Sequence, residues 1–431
     1  MRFATSTTTL ILAVGSTIST ALQIPISNPQ WRPSTPELED PNLNTGDVYP
    51  PGFTLRHVFH HGTNAHPGLH RRMDVSAEMH LTGAPPHAPF LLGAVPRTAT
   101  RLRKEQRAPK AMEARLAKVW SRSGVQSEAY DWVNEEILTP DVEDPQTLVA
   151  LAKMTADAYV GVPDSATWVD VGVPFNQSSR FGWDSTGIRG HVFADETNST
   201  VVVAIKGTSS TMFDNDGVTA PSDKVNDNLL FSCCCARISY MWKTVCDCYD
   251  STYTCKQDCV EDALYSEDKY YRALLDMYAN TTALYPDANV WFTGHSLGGS
   301  MAALAGRTYA VPTVAFEAPP ERLAARRLHL PFPPIPESES MIWHFGNTAD
   351  PIYMGVCNGP SSLCWMGGYA METQCHSGME CVYDTVADKK WRVSMSSHRI
   401  RAVVDMIESY NTTASCIVND ECQDCFDWTF T

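Results

Sequence analysis

Residues 291–305, WFTGHSLGGSMAALA, leave few folds open to this chain. Apolar Val290, Trp291 and Phe292 read as the end of a buried strand, and the small residues from Gly299 to Ala305 as the start of a helix. Between them, Gly294-His295-Ser296-Leu297-Gly298 is a G-x-S-x-G pattern in the strand–turn–helix setting of a nucleophile elbow. The glycines have a physical reason to be there. Strand and helix must pass close without Cβ clashes while Ser296 sits on a strained turn. The N–H of Leu297, at the helix start, then faces a developing oxyanion. A Gly-rich strand-to-helix connector would carry the same pattern, but the flanking apolar strand and Ala-rich helix favour a catalytic serine.

Chemistry at Ser296 needs a second oxyanion donor, an acid and a base. The strand VVVAIKGTSS ends in Gly207-Thr208-Ser209, where the N–H and hydroxyl of Thr208 suit the donor role. MIWHF, from Met341, reads as a strand ending in Gly346-Asn347-Thr348-Ala349-Asp350-Pro351. Asp350 therefore lies in the loop after a core strand, where the triad acid belongs; turn formation is the competing use of an Asp-Pro pair. His398 precedes the helical pattern Ile400, Val403, Val404, Ile407 and completes the order Ser, Asp, His. His344, inside a strand, and His376, among cysteines, are the competing bases.

Charge is unevenly spread. The formal net charge is −16, yet residues 51–123 carry 12 Lys/Arg against 4 Asp/Glu, which leaves −24 for the rest. So acidic a body argues against nucleic acid as partner. From residue 3 to 31 no side chain is charged, with an apolar run at 10–14 and Arg2 before it. This reads as a signal peptide or an uncleaved signal anchor, and either one sends the chain into the secretory pathway. Fourteen cysteines in three late clusters then read as disulfides, with zinc as the minor alternative. Sequons at Asn176, Asn198, Asn280 and Asn411 fit the same compartment.

Seven prolines over residues 25–52 predict an extended stalk. His57, His60, His61, His66 and His70 follow at no metal-ligand spacing and read as surface or edge-strand histidines. Residues 92–123 read as basic and helix-forming. Asp144-Pro145 reads as a helix start, 187–194 and 200–206 as neighbouring strands, and Arg322, Arg326 and Arg327 as part of a surface helix. The insertion at about 211–262 holds half the cysteines and carries apolar Met212, Phe213, Leu229, Leu230 and Phe231. It reads equally as an interfacial lid or a stapled excursion.

With Gly-His-Ser-Leu-Gly-Gly, Ile-Lys-Gly-Thr, Thr-Ala-Asp-Pro-Ile, Ser-His-Arg-Ile and the Phe231-Ser-Cys-Cys-Cys run in hand, the chain resembles the class 3 lipases. More narrowly, it is similar to the fungal autophagy-related vacuolar lipases. The resemblance implies an α/β-hydrolase fold over 131–431, behind a short cytosolic segment (1–6), a transmembrane signal anchor (7–26) and a lumenal stalk and His-rich region (27–130). It implies a type II glycoprotein travelling through endoplasmic reticulum, Golgi and multivesicular bodies to the vacuole, where it hydrolyses phospholipids and neutral lipids of delivered vesicles. Ser296 then matches the nucleophile, Asp350 the acid, His398 the base and Thr208 the oxyanion position, with no metal or organic cofactor required. The rival readings are an esterase or serine peptidase with the same triad, or a membrane-tethered binding module without activity.

Overall fold

Alternating polar and apolar letters place the strands, but the partners of those strands decide which of them share a sheet. The computed structural model describes residues 52–61, 70–75, 92–120, 130–159, 187–209, 219–239, 242–331 and 333–431. In chain order the strands are β1 (Thr54–His61), β2 (His70–Asp74), β3 (Ala94–Leu102), β4 (Trp132–Pro140), β5 (Arg189–Ala194), β6 (Thr200–Ile205) and β7 (Tyr249–Ser251). They continue as β8 (Thr254–Cys255), β9 (Asn289–His295), β10 (Thr313–Phe316), β11 (Ile342–Asn347), β12 (Met379–Tyr383), β13 (Cys416–Ile417) and β14 (Thr429–Phe430). The main sheet has the order β13-β12-β11-β10-β9-β6-β5-β1-β2. Strands β6, β9, β10, β11 and β12 run parallel, and antiparallel strands flank them on both sides.

Helices cover both faces, which is why β5, β6 and β10 are buried along their whole length. The helices Tyr270–Leu284 and Leu297–Tyr309 pack on one face through Leu274, Tyr278, Met301 and Leu304. Pro145–Asp157 and Ile400–Glu408 pack on the other through Leu148, Leu151, Val403 and Ile407. The expected start at Asp144 is present: its side chain accepts the N–H groups of Gln146 and Thr147 at 3.2 and 3.0 Å, with Pro145 in the first turn. A parallel sheet covered on both faces, with an elbow at the end of its central strand, is an α/β-hydrolase architecture.

Several sequence expectations need correction. The segment read as basic and helical from residue 92 opens with β3, paired with β4 along its full length. Helix begins only at Lys104–Arg107 and Pro109–Trp120, because a partner strand outweighs local helix propensity. The histidines of β1 are not on a surface. That strand lies between β5 and β2, and His57 is buried between Asp74 (Nδ1 to Oδ1, 2.7 Å) and the Tyr285 hydroxyl (2.8 Å). Hydrogen-bond partners make such burial tolerable. Strands β1 and β2, within the region expected as a stalk, are part of the main sheet. The helix Arg322–Arg327 is only partly superficial: Arg326 is exposed, whereas Arg322 donates to the His376 carbonyl and Arg327 to those of Ser232 and Cys233, both side chains buried. The proposed anchor at 7–26, with Asn176, Met212 and Phe213, lies outside the described residues. Among the described residues no helix is long and apolar enough to cross a membrane.

The cysteines form seven disulfides: Cys233–Cys425, Cys234–Cys255, Cys235–Cys246, Cys248–Cys259, Cys357–Cys364, Cys375–Cys422 and Cys381–Cys416. All fourteen thiols are thereby used, which leaves none to bind zinc. Leu229, Leu230 and Phe231, read as possible lid residues, are buried under this cluster.

The strand-borne His344 belongs to a second buried set. Its Nε2 lies 3.2 Å from Glu321 Oε1, and its ring packs 4.9 Å from that of His376. Burial pushes the Glu321 carboxyl up, but the charges and hydrogen bonds of His344, His376 and Ser377 outweigh it and hold it at about 2. A depressed carboxylate stabilises the fold above its ordinary value, near 4.5, and loses that contribution as pH falls toward 2. Glu321→Gln should therefore lower stability at pH 6 by about 3–5 kcal/mol, the cost of breaking a buried pair. Denaturant melts at stepped pH should show this gap closing between pH 4.5 and 2. Loss of the Cys233–Cys425 bridge, which spans 192 residues, should cost about 2–5 kcal/mol in the same melts of the double serine variant.

Candidate active site

The elbow is built by exclusion. A Cβ on Gly294 would lie 2.3 Å from the Gly298 carbonyl oxygen, and one on Gly298 would lie 2.2 Å from that of Ile205. Only glycine fits either place, so β9 and the following helix can close to backbone contact. Ser296, the residue between, takes φ 56° and ψ −134°, a conformation that L side chains rarely adopt. The amide of Ser296 is held by the Phe316 carbonyl at 3.1 Å. The side chain thus stands at the carboxyl end of the central strand, above the sheet.

The partners arrive from two other loops. Asp350 follows β11, and His398 precedes the helix Ile400–Glu408. His398 Nε2 lies 2.8 Å from Ser296 Oγ, and its Nδ1 lies 2.6 Å from Asp350 Oδ2. Both His398 and Asp350 are fully buried, and Ser296 nearly so. Burial pushes Asp350 up, but the His398 charge, its hydrogen bond, a hydrogen bond from Glu317 and the N–H of Ile352 prevail and hold it below the usual carboxylate range. All three residues singled out in the sequence are brought together. His344 and His376 are not part of the group.

Thr208 lies just past β6, the strand beside β9. Its hydroxyl donates to Asp227 Oδ2 at 2.7 Å, while Ser209 N donates to Asp223 Oδ2 at 2.8 Å. Two carboxyl groups of the helix Ala220–Leu230 therefore fix this loop, and the Thr208 hydroxyl, expected to face the oxyanion, is engaged elsewhere. Its backbone N–H keeps that role open. Burial pushes Asp227 well up, against the opposing effect of the Thr208 bond. Leu297 opens the elbow helix, so its N–H has no acceptor within the helix. Lys206 is buried beside these groups and donates to the Gly207 carbonyl, Ser209 and Thr219.

Two positioning groups escaped sequence reasoning. His295, the variable residue of the motif, has Nε2 2.6 Å from the His398 carbonyl and Nδ1 2.6 Å from the Tyr159 hydroxyl. A carbonyl only accepts, so Nε2 carries the proton and Nδ1 accepts from Tyr159. Burial, then the nearby His398, lowers His295 to about 3, which keeps it neutral. Gly207 makes room for this arrangement, since a Cβ there would lie 2.3 Å from the Tyr159 hydroxyl oxygen. The apolar spacing of the helix before Tyr159 was visible, but its contact with His295 spans 136 residues. Of the sequons, Asn411 is exposed past the last long helix, while Asn198, in the β5–β6 turn, and Asn280 are half-buried.

Comparisons with known proteins bear on this geometry. Residues 222–316 match the model of the family "Lipase (class 3)". A "Putative lipase ATG15" of Yarrowia lipolytica is 50% identical over 88% of this chain and 73% of its own length. One of Pichia angusta is 55% identical over 70% of this chain and 57% of its own length. Among solved structures, lipase II from Rhizopus niveus overlaps 55% of this chain and 80% of that one at 17% identity with a TM-score of 0.30, too loosely to add to the topology above. The Yarrowia relative matches over most of both chains, and the family model covers the segment that carries the elbow: this chain belongs to the ATG15 family of class 3 lipases.

Proposed function

We propose that the chain is a serine lipase of the vacuolar lumen that hydrolyses acyl esters of phospholipids and triacylglycerols in membranes delivered there. The observation that carries this reading is the connected line Ser296 Oγ, His398 and Asp350 at 2.8 and 2.6 Å on a strained elbow. His398 Nε2 takes the proton of Ser296 as Oγ attacks the ester carbonyl. Asp350 fixes the tautomer through Nδ1–H and balances the charge that forms on the ring. The N–H groups of Thr208 and Leu297 receive the oxyanion, and the protonated imidazole passes its proton to the leaving alcohol. Water, activated by the same imidazole, then releases the fatty acid and regenerates Ser296. The chain's own residues account for each step.

Several features support the compartment and substrate. Seven disulfides suit an oxidising lumen, and the exposed Asn411 suits glycosylation there, with Asn176, Asn198 and Asn280 as further acceptors. The relatives' ATG15 name points to autophagy, and the uncharged stretch at 7–26 to a signal anchor that delivers the chain through multivesicular bodies as a type II membrane protein. A fluorophosphonate probe should label the wild-type chain and leave Ser296→Ala unlabelled. His398→Ala should lose at least about 1000-fold in kcat. With phospholipid and triacylglycerol vesicles at acidic pH, turnover per molecule should exceed that on monomeric short-chain esters. Persistent labelling of Ser296→Ala, or a preference for monomeric esters, rejects the reading.

A further inference from the structure

Glu317 has no part in the steps above, yet it occupies an expensive position. It is the first residue past β10, between the strand of the elbow and the strand of the Asp350 loop. Its φ is 43°, in the left-handed region, where a side chain costs about 1 kcal/mol or more. Its carboxyl is fully buried. Oε1 accepts from Asn347 Nδ2 at 2.6 Å, Oε2 accepts from Asn347 N at 3.3 Å, and the same carboxyl is in hydrogen-bond contact with Asp350.

Two ionised carboxylates are acceptors only, so a hydrogen bond between them requires a proton on one. Its place follows from the surroundings. Asp350 faces the His398 ring at 2.6 Å and takes the Ile352 N–H at 2.8 Å, both of which favour its charge. Glu317 has the neutral amide donors of Asn347 on one side and the Asp350 charge on the other. Burial and that charge push Glu317 well up. Asn347 extends the link: its Oδ1 accepts from Ala349 N and Thr385 Oγ1, each at 3.0 Å, and its Nδ2 also lies 3.5 Å from the carbonyl of Ser397, next to His398.

We propose that Glu317 is a positioning residue of the triad, a buried neutral acid that donates an O–H hydrogen bond to Asp350 and, through Asn347, couples the Asp350 loop to the His398 segment. The proposal rests on the triad reading above. The donated bond keeps Asp350 weakly basic, so that it orients His398 without taking its proton. It also sets an alkaline limit: once Glu317 ionises, two buried charges repel and the loop must shift. The titratable groups around the pair are His398 and His295, whose rings lie 4.9 Å apart, with Tyr353 packed nearby and influenced by Glu317, Glu321, Glu380 and Asp350.

The test uses the intact chain and a soluble chromogenic ester, with kcat and KM measured from acid to alkaline pH. Glu317→Ala should lower kcat about 10–100-fold with KM within about twofold, because the reacting groups are misplaced while the substrate surface is intact. Glu317→Gln keeps a donor to Asp350 and should recover most of the rate, without the alkaline fall of wild type that reports Glu317 ionising. An alkaline limb in Glu317→Gln identical to wild type overturns the proposal, and this comparison holds even where Glu317→Ala fails to fold. So does a Glu317→Ala variant with wild-type kcat. Ser296→Ala separates the two failures: an inactive Ser296→Ala beside an unaffected Glu317→Ala sinks only the Glu317 role. An active Ser296→Ala sinks the triad and this role with it.

Discussion

Backbone-to-backbone contact between β9 and the helix after it is the constraint from which the site follows. With Gly298 pressed against the Ile205 carbonyl, the strand has no room to turn gradually, and Ser296 is forced to a positive φ. That conformation is unfavourable by itself. It persists because β6 and β10 pair with β9 on either side, in register up to Gly294 and His295, and because the elbow helix is buried along its length. Packing supplies the rigidity, and the strained serine is its local expression. A nucleophile fixed this way needs little reorganisation before attack.

Parallel topology does the remaining work. In a parallel sheet all carboxyl ends lie on one edge, so the loops after β6, β9, β10 and β11 must meet there. Thr208, Ser296, Glu317 and Asp350 come from those four loops, and His398 reaches the same edge from the segment after β12. Residues up to 190 positions apart are thereby placed together without any long-range design beyond strand order. Four of the disulfides bind the stretch from Cys233 to Cys259 within itself and to Cys425, with Arg327 bonded to the carbonyls of Ser232 and Cys233, while Cys381–Cys416 joins β12 to β13.

The catalytic candidates were legible in the sequence because each sits beside a local signal. Ser296 has its glycines, Asp350 a strand end, His398 an amphipathic helix start. What the sequence hid was partnership. The buried histidines of β1 look solvated until Asp74 and Tyr285 are placed beside His57. β3 looks helical until β4 is laid along it. Arg322 and Arg327 look exposed until backbone carbonyls are found for them. In each case a polar side chain was read by its own hydropathy, whereas burial depends on whether a distant group satisfies it. Tyr159 and His295 were missed for the same reason.

Glu317 and Glu321 carry this point to its physical end. They are four residues apart, both fully buried, and they begin with the same carboxyl chemistry. Burial pushes both upward. Glu321 then meets His344 and His376 and is held at about 2, while Glu317 meets Asp350 and is driven well above its ordinary value. Over a broad span of pH one is a charge and the other an acid. The first lies 3.2 Å from His344 Nε2 and accepts from Ser377, joining two elements of the core. The second can donate a hydrogen bond, which an ionised carboxylate cannot do. Identical letters in one short stretch thus hold different chemical species, and the difference comes from which neighbour the sheet order delivers to each.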